Sequence, residues 1–304
     1  MNKINIYLKA LRAPFFTASI IPVLLGFVLA WNEGGSWNWV YFILTILMAV
    51  FVQGGVNLSN DFFDHVSGND EQNNNYSQFS GGSRVIQDKL LKPKEALVAS
   101  TLLLIIGALI GLYLNRIYEG NALLVLMLIG LFIGFFYTAT PLKLSYRGLG
   151  EIGVAICFGP ILVLFSHFLF SGTISVLAFF ISIPMGLLVF LIILINEFQD
   201  YESDKKTSKN TLVVLLGKKK SVKIYQNVLV SVYLLIILSI VFFKLPILIL
   251  ISLFSAFLGY KTYNILENNY TKIKELLPAN GMTIGLHMIT GVLIIIGLVL
   301  DKIL

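Results

Sequence analysis

The chain has 304 residues, of which 57% are hydrophobic and only 12% charged, with a mean hydropathy of +0.85 and a formal net charge of +6 at pH 7. Soluble domains carry roughly a quarter charged residues, so this composition excludes an ordinary soluble globule and predicts one polytopic membrane domain over residues 1–304. The single cysteine, Cys157, lies in an apolar run, which excludes an intrachain disulfide framework or a cysteine metal cluster.

In chain order, the basic, weakly amphipathic opening M-N-K-I-N-I-Y-L-K-A-L-R leads into a first apolar stretch at 15–31. No small-residue cleavage site follows it, so it reads as a retained transmembrane helix, kinked at Pro22, rather than a signal peptide. A bilayer core takes about 20 apolar residues. Further stretches of that kind lie near 39–58, 96–114, 122–138, 149–170, 174–195, 224–243, 245–265 and 282–300, predicting an all-α protein with nine transmembrane helices. Under this topology 19 of the 22 Lys and Arg residues fall on the side of the N-terminus, leaving only Arg116, Lys244 and Lys302 opposite. The positive-inside rule then places the N-terminus and the loops after even-numbered helices in the cytoplasm, with the C-terminus across the cell (inner) membrane. The same bias accounts for the net charge, so no nucleic-acid partner is expected, and Lys218 to Lys220 read as an anchor to anionic lipid.

Two acidic stretches organise the chain. N-L-S-N-D-F-F-D-H-V-S-G-N-D at 57–70 closes the second predicted helix, and N-E-F-Q-D-Y-E-S-D-K-K-T-S-K-N-T at 196–211 closes the sixth. At helical spacing Asn57, Asp61 and Asp64 share one face, as do Asn196, Asp200 and Asp204. Both ends emerge on the cytoplasmic side and can meet across one cavity, beneath the long cytoplasmic connections 59–95 and 197–223 that serve as cap loops. The matching words N-D-F-F-D and N-E-F-Q-D predict two four-helix halves plus a ninth helix, with the site where the halves face each other.

Carboxylates at membrane helix ends are costly and mark function. Asp61, Asp64, Asp70, Asp200 and Asp204 offer hard oxygen ligands without a histidine pair or thiolate, which favours Mg2+ over zinc or iron. A metal beside cations suits a diphosphate, and Arg84, Lys143, Arg147, Lys205 and Lys209 are the nearby candidates. Glu71 and Glu202 break the facial spacing and read as surface, His65 as exposed, and His167 and His287 as satisfied helix contacts.

The motifs N-D-x-x-D-x-x-x-x-x-D from Asn60 to Asp70 and D-x-x-x-D-x-x-x-x-K-x-T from Asp200 to Thr211 resemble those of the UbiA-type intramembrane prenyltransferase superfamily. L-R-A-P-F-F-T-A-S-I-I-P-V-L-L-G from Leu11, G-G-S-R-V-I from Gly81 and Y-T-A-T-P-L-K-L-S-Y-R-G-L-G-E from Tyr137 extend the likeness, which is greatest to 1,4-dihydroxy-2-naphthoate polyprenyltransferases. The resemblance implies nine helices around a central cavity, two Mg2+ ions, a polyprenyl diphosphate donor and an aromatic acceptor. For this acceptor it implies prenylation with decarboxylation, a step of menaquinone biosynthesis. Carried over by position, Asn60, Asp61, Asp64 and Asp70 with Asn196, Asp200 and Asp204 hold metal. Lys209, Arg84 and Arg147 match cationic positions, and substrate contacts are expected from these three with Asn57, Asn60, Asn196 and Lys205. Lys143, Tyr137 and Tyr146 join the catalytic candidates, the tyrosines because aromatic faces favour a cation-like allylic carbon. Glu197 departs from relatives that often carry a neutral residue there. Other acceptors (4-hydroxybenzoate, homogentisate, haem, a glycerol phosphate ether) stay open, as does a cation-coupled transporter. The transporter predicts polar groups on both faces, yet 115–120 and 171–173 carry no matching acidic cluster.

Overall fold

The apolar runs fold as nine helices in the computed structural model, which describes residues 2–304. They are α1 (Ala13–Asn32), α2 (Trp39–Val66), α3 (Pro93–Asn115), α4 (Ala122–Phe135), α5 (Gly150–Ser171), α6 (Val176–Lys206), α7 (Lys218–Phe243), α8 (Ile247–Asn269) and α9 (Ile273–Ile303). Among the described residues there is no strand, only an isolated bridge between Arg147 and Asn210. Short polar side chains set the starts of the two helices that matter most. Asn38 Oδ1 accepts from the Val40 and Tyr41 amides before α2, and Ser175 Oγ accepts from the Ala178 amide in the first turn of α6.

Eight of the nine helices are long and apolar enough to cross a membrane. The exception is α4, whose 14 residues span about 21 Å, short of the roughly 30 Å hydrocarbon core. The expected span 122–138 is therefore a short helix continued by turns. It starts beside Asn115, whose Oδ1 accepts from the Leu124 amide, and leads to Tyr137 at the opposite, polar end of the bundle.

By contrast α2 has 28 residues and α6 has 31, about 42 and 46 Å, so both outrun a bilayer core. The predicted ends at 58 and 195 fall short because the acidic words continue the helices instead of opening loops. A four-residue helix, Asn69–Gln72, follows α2 and folds back against α6.

The bundle is arranged round α6, which packs on α5, α7 and α9. Of its apolar window 72% is buried within the protein, against 22% for α3 and α7, which leave most of their surface for lipid. At the α5 crossing the backbones touch: a Cβ on Gly159 would lie 2.8 Å from the Gly186 Cα, and one on Gly186 would overlap the Ala155 carbonyl oxygen. The crossing coincides with a π-turn at Cys157–Ile161 that contains Pro160, which has no amide to donate. Gly186→Val is expected to destabilise the fold by about 1–3 kcal/mol through overpacking, read as a lower unfolding temperature in detergent.

Of the two helix histidines, His167 is satisfied, with Nε2 2.9 Å from Glu33 Oε2 and Nδ1 3.2 Å from Ser171 Oγ. His287 is not: it is buried and neither ring nitrogen has a partner. The hydroxyls one turn away are already taken, Thr283 by Tyr225 and Thr290 by Ser255.

Candidate active site

Because α2 and α6 continue past the apolar core, their last turns close over one cavity of about 240 Å³. Asn57, Asn60 and Asp64 from α2 and Asn196, Glu197, Asp200 and Asp204 from α6 line its polar end, joined by Arg12, Asn69, Asp70, Tyr137 and Lys209. The rest is apolar, walled by Met48, Val52, Met127, Leu131, Ile161 and Phe165 among others. Such a slot suits a molecule with an anionic head and a hydrocarbon tail.

Lys209 ties the two helix ends together. Its Nζ donates to Asp64 Oδ2 at 2.8 Å, while the Tyr146 hydroxyl donates to Asp64 Oδ1 at 3.0 Å and lies 2.7 Å from Ser67 Oγ. Burial disfavours the ammonium, but Asp64 and Asp204 outweigh it and hold the Lys209 pKa well above its ordinary value. Burial, reinforced by Asp64 and Asp61, pushes the Asp70 carboxyl well above the usual carboxylate range. It also raises the phenol of Tyr146, which stays neutral at physiological pH.

The second motif is held by two asparagines that the motif reading passed over. Asn69 Nδ2 donates to Asp204 Oδ1 at 2.9 Å, and Asn73 Nδ2 to Asp200 Oδ1 at 2.7 Å, with the Gly81 amide on Asp200 Oδ2 at 3.3 Å. Their signal was adjacency: both flank Asp70 in a loop whose asparagines resemble ordinary solvated turn residues. Gly82 sits at φ +75°, where an added Cβ would collide with the Asp70 carboxylate, so the loop's close approach requires glycine. Arg12 was also missed as a site residue. Its guanidinium donates to Asp61 Oδ1 at 2.5 Å, and Ser83 bonds the other Asp61 oxygen.

The donor set can be tested against a metal. Asn60 Oδ1 and Asp70 Oδ2 are buried beside the cavity without a hydrogen-bond partner. Among the described residues no group of three His, Cys, Asp or Glu side chains is gathered closely enough to hold an ion alone. An open set of oxygens fits Mg2+, which keeps waters and completes its shell with substrate phosphate.

A family model described as the UbiA prenyltransferase family matches residues 19–286. The chain belongs to this family. It is therefore a prenyl-transferring enzyme, which sets aside the transporter. It is 34% identical over 211 residues to 1,4-dihydroxy-2-naphthoate octaprenyltransferase of Bacillus subtilis, covering 69% of this chain and 66% of that protein. It is 32% identical over 236 residues to UbiA prenyltransferase domain-containing protein 1 of Danio rerio, covering 77% and 68%. A UbiA homologue from Archaeoglobus fulgidus, solved with GPP and Mg2+, shares the fold with a TM-score of 0.65 at 16% identity over 95% of this chain and 99% of that one.

Not every predicted position of this UbiA protein reaches the cavity. Asp61 does not line it, and its two oxygens are bonded to Arg12 and Ser83. Arg84 stands behind it, donating to the Asp70 carbonyl and lying 4.4 Å from the Tyr76 ring centroid. Lys143 packs 4.9 Å from the Tyr146 ring centroid, Arg147 is exposed and donates to the Pro141 carbonyl at 3.3 Å, and Lys205 is exposed on α6. Glu197 does line the cavity, with the Val213 amide 3.5 Å from Oε2. His65 is half-buried and paired with Glu71.

Proposed function

We propose that this enzyme transfers a polyprenyl group from its diphosphate to 1,4-dihydroxy-2-naphthoate, with loss of carbon dioxide, on the cytoplasmic side of the cell membrane. The carrying observation is that two carboxylate-and-amide helix ends share one cavity whose remaining wall is apolar. The likeness to the Bacillus subtilis octaprenyltransferase supports naphthoate as acceptor, and the distribution of Lys and Arg supports the orientation.

Asp64, Asp70, Asn60, Asp200 and Asp204 would hold Mg2+. When bound, it neutralises charge on the diphosphate as the allylic carbon–oxygen bond breaks. Lys209 and Arg12 add fixed positive charge at the same end, where stabilising the departing anion matters most. The apolar wall excludes water from the electron-poor allylic carbon until the naphthoate ring attacks it. Carbon dioxide then leaves as the ring regains aromaticity. Arg84 acts from behind by holding the Asp70 backbone.

The test incubates purified protein in lipid with 1,4-dihydroxy-2-naphthoate, a labelled polyprenyl diphosphate and Mg2+. A prenylated, decarboxylated naphthoquinol detected by mass and abolished by EDTA is the expected result. Diphosphate release without that product rejects naphthoate as the acceptor, and no reaction of the diphosphate rejects the proposal outright.

A further inference from the structure

One cavity-lining side chain is gripped from behind in a way that sets its chemistry. Asn196 lies on α6 at the cavity and is only 9% exposed. Behind it runs a row of buried amides. The hydroxyls of Ser77 and Ser80 donate to Gln199 Oε1 at 2.7 and 2.6 Å. Gln199 Nε2 donates to Asn280 Oδ1 at 2.7 Å, and Asn280 Nδ2 donates to Asn196 Oδ1 at 2.8 Å. Each link points the same way. Gln199 is 1% exposed and Asn280 is fully buried, so water offers neither of them an alternative partner.

The row has a consequence at its far end. An amide whose oxygen already receives a buried donor has its NH2 left to present. Turning Asn196 round alone would set two NH2 groups against each other, so the three amides reverse together or not at all, and reversal also obliges both serine hydroxyls to switch from donor to acceptor on Gln199 and send their protons elsewhere. We infer that Asn196 presents its amide NH2, not its oxygen, to the cavity, and donates a hydrogen bond to an anionic oxygen of substrate. Gln199 and Asn280 are positioning residues for that donor. The inference rests on the prenyltransferase reading of the same cavity, and it removes Asn196 from the expected metal ligands. The anionic oxygen belongs either to the diphosphate or to the aromatic acid.

Three measurements test it. Asn196→Ala, titrated with Mn2+ by electron paramagnetic resonance in the presence of a prenyl diphosphate, is expected to keep the wild-type affinity within about threefold. A tenfold or greater loss overturns the inference, because it makes the side chain a ligand. Asn196→Asp, which has no donor and adds negative charge, is expected to raise KM for one substrate about tenfold or more. A shift for the prenyl diphosphate assigns the bond to its head, a shift for the aromatic acid assigns it to the acceptor, and no shift in either overturns the inference. Asn280→Asp accepts from both neighbours and so turns the Asn196 oxygen to the cavity. The same substrate-specific KM shift is expected from a residue that does not line the site, whereas a merely structural role lowers kcat and stability without that split. If Asn280→Asp does not fold, the Asn196 variants decide alone. The Mn2+ titration needs no turnover, so failure of naphthoate as acceptor leaves it decisive.

Discussion

Asp64→Ala and Asp200→Ala are each expected to lower prenyl transfer about 10²- to 10³-fold while the protein still inserts and purifies. Asp64 is the point where α2 meets the second half of the site, through the Lys209 ammonium at 2.8 Å and the Tyr146 hydroxyl at 3.0 Å. Its removal takes away a hard oxygen and also releases Lys209 from its hydrogen-bonded carboxylate, leaving Asp204 as the next charge partner. Asp200 anchors the loop over the cavity, because Asn73 and the Gly81 amide both donate to it. Its loss therefore strips the polar end of a carboxylate and loosens the segment that places Asp70. Turnover measured across a Mg2+ series separates the two roles of Asp64: both variants raise the Mg2+ needed for half-maximal rate, and in Asp64→Ala saturating Mg2+ still leaves the maximum low because Lys209 has also been released. Near-normal turnover in both variants would sink the two-motif site.

What the sequence made legible and what it hid divide along physical lines. The acidic helix ends could be read because carboxylates are rare in such an apolar chain and recur at helical spacing, which brought Asp64, Asp200 and Asp204 to one site. Asn69 and Asn73 could not be told from solvated loop residues, since only the return of the chain onto α6 gives them carboxylates to hold. Asn280 lies 84 residues from Asn196 in a mostly apolar helix, with no acidic motif beside it to mark it. Nearness in sequence misled for the cations. Lys205 follows Asp204 on α6, and one helical step of about 100° carries it from the cavity to the surface. Tyr146 and Arg147 part in the same way, where the short 3₁₀ turn Leu144–Tyr146 sends the phenol toward Asp64 and leaves the guanidinium outside.

The second large effect is expected at Asp61, in stability rather than in metal dependence. The family motif implies a ligand there, but Asp61, unlike Asp64, Asp70, Asp200 and Asp204, does not line the cavity, and its oxygens go to Arg12 at 2.5 Å and to Ser83. Asp61 is buried but the Arg12 side chain is 20% exposed and lines the cavity, so removing the carboxylate leaves a partly hydrated guanidinium and costs about 1–3 kcal/mol, less than for a fully buried pair. Asp61→Asn still accepts from Ser83 yet no longer neutralises Arg12, so the unfolding temperature in detergent is expected to fall by about 2–5 °C. Adding Arg12→Met to Asp61→Asn removes the stranded charge and is expected to recover part of that loss, a coupling that independent sites do not show. The Mg2+ concentration for half-maximal turnover should stay within about threefold in Asp61→Asn, whereas a shift of tenfold or more without loss of thermal stability would make Asp61 a ligand instead. The physical distinction is one of direction. Asp64 and Asp70 present their carboxylates to the cavity, while Asp61, three residues before Asp64 on the same helix, spends its charge fixing the start of α1 against α2.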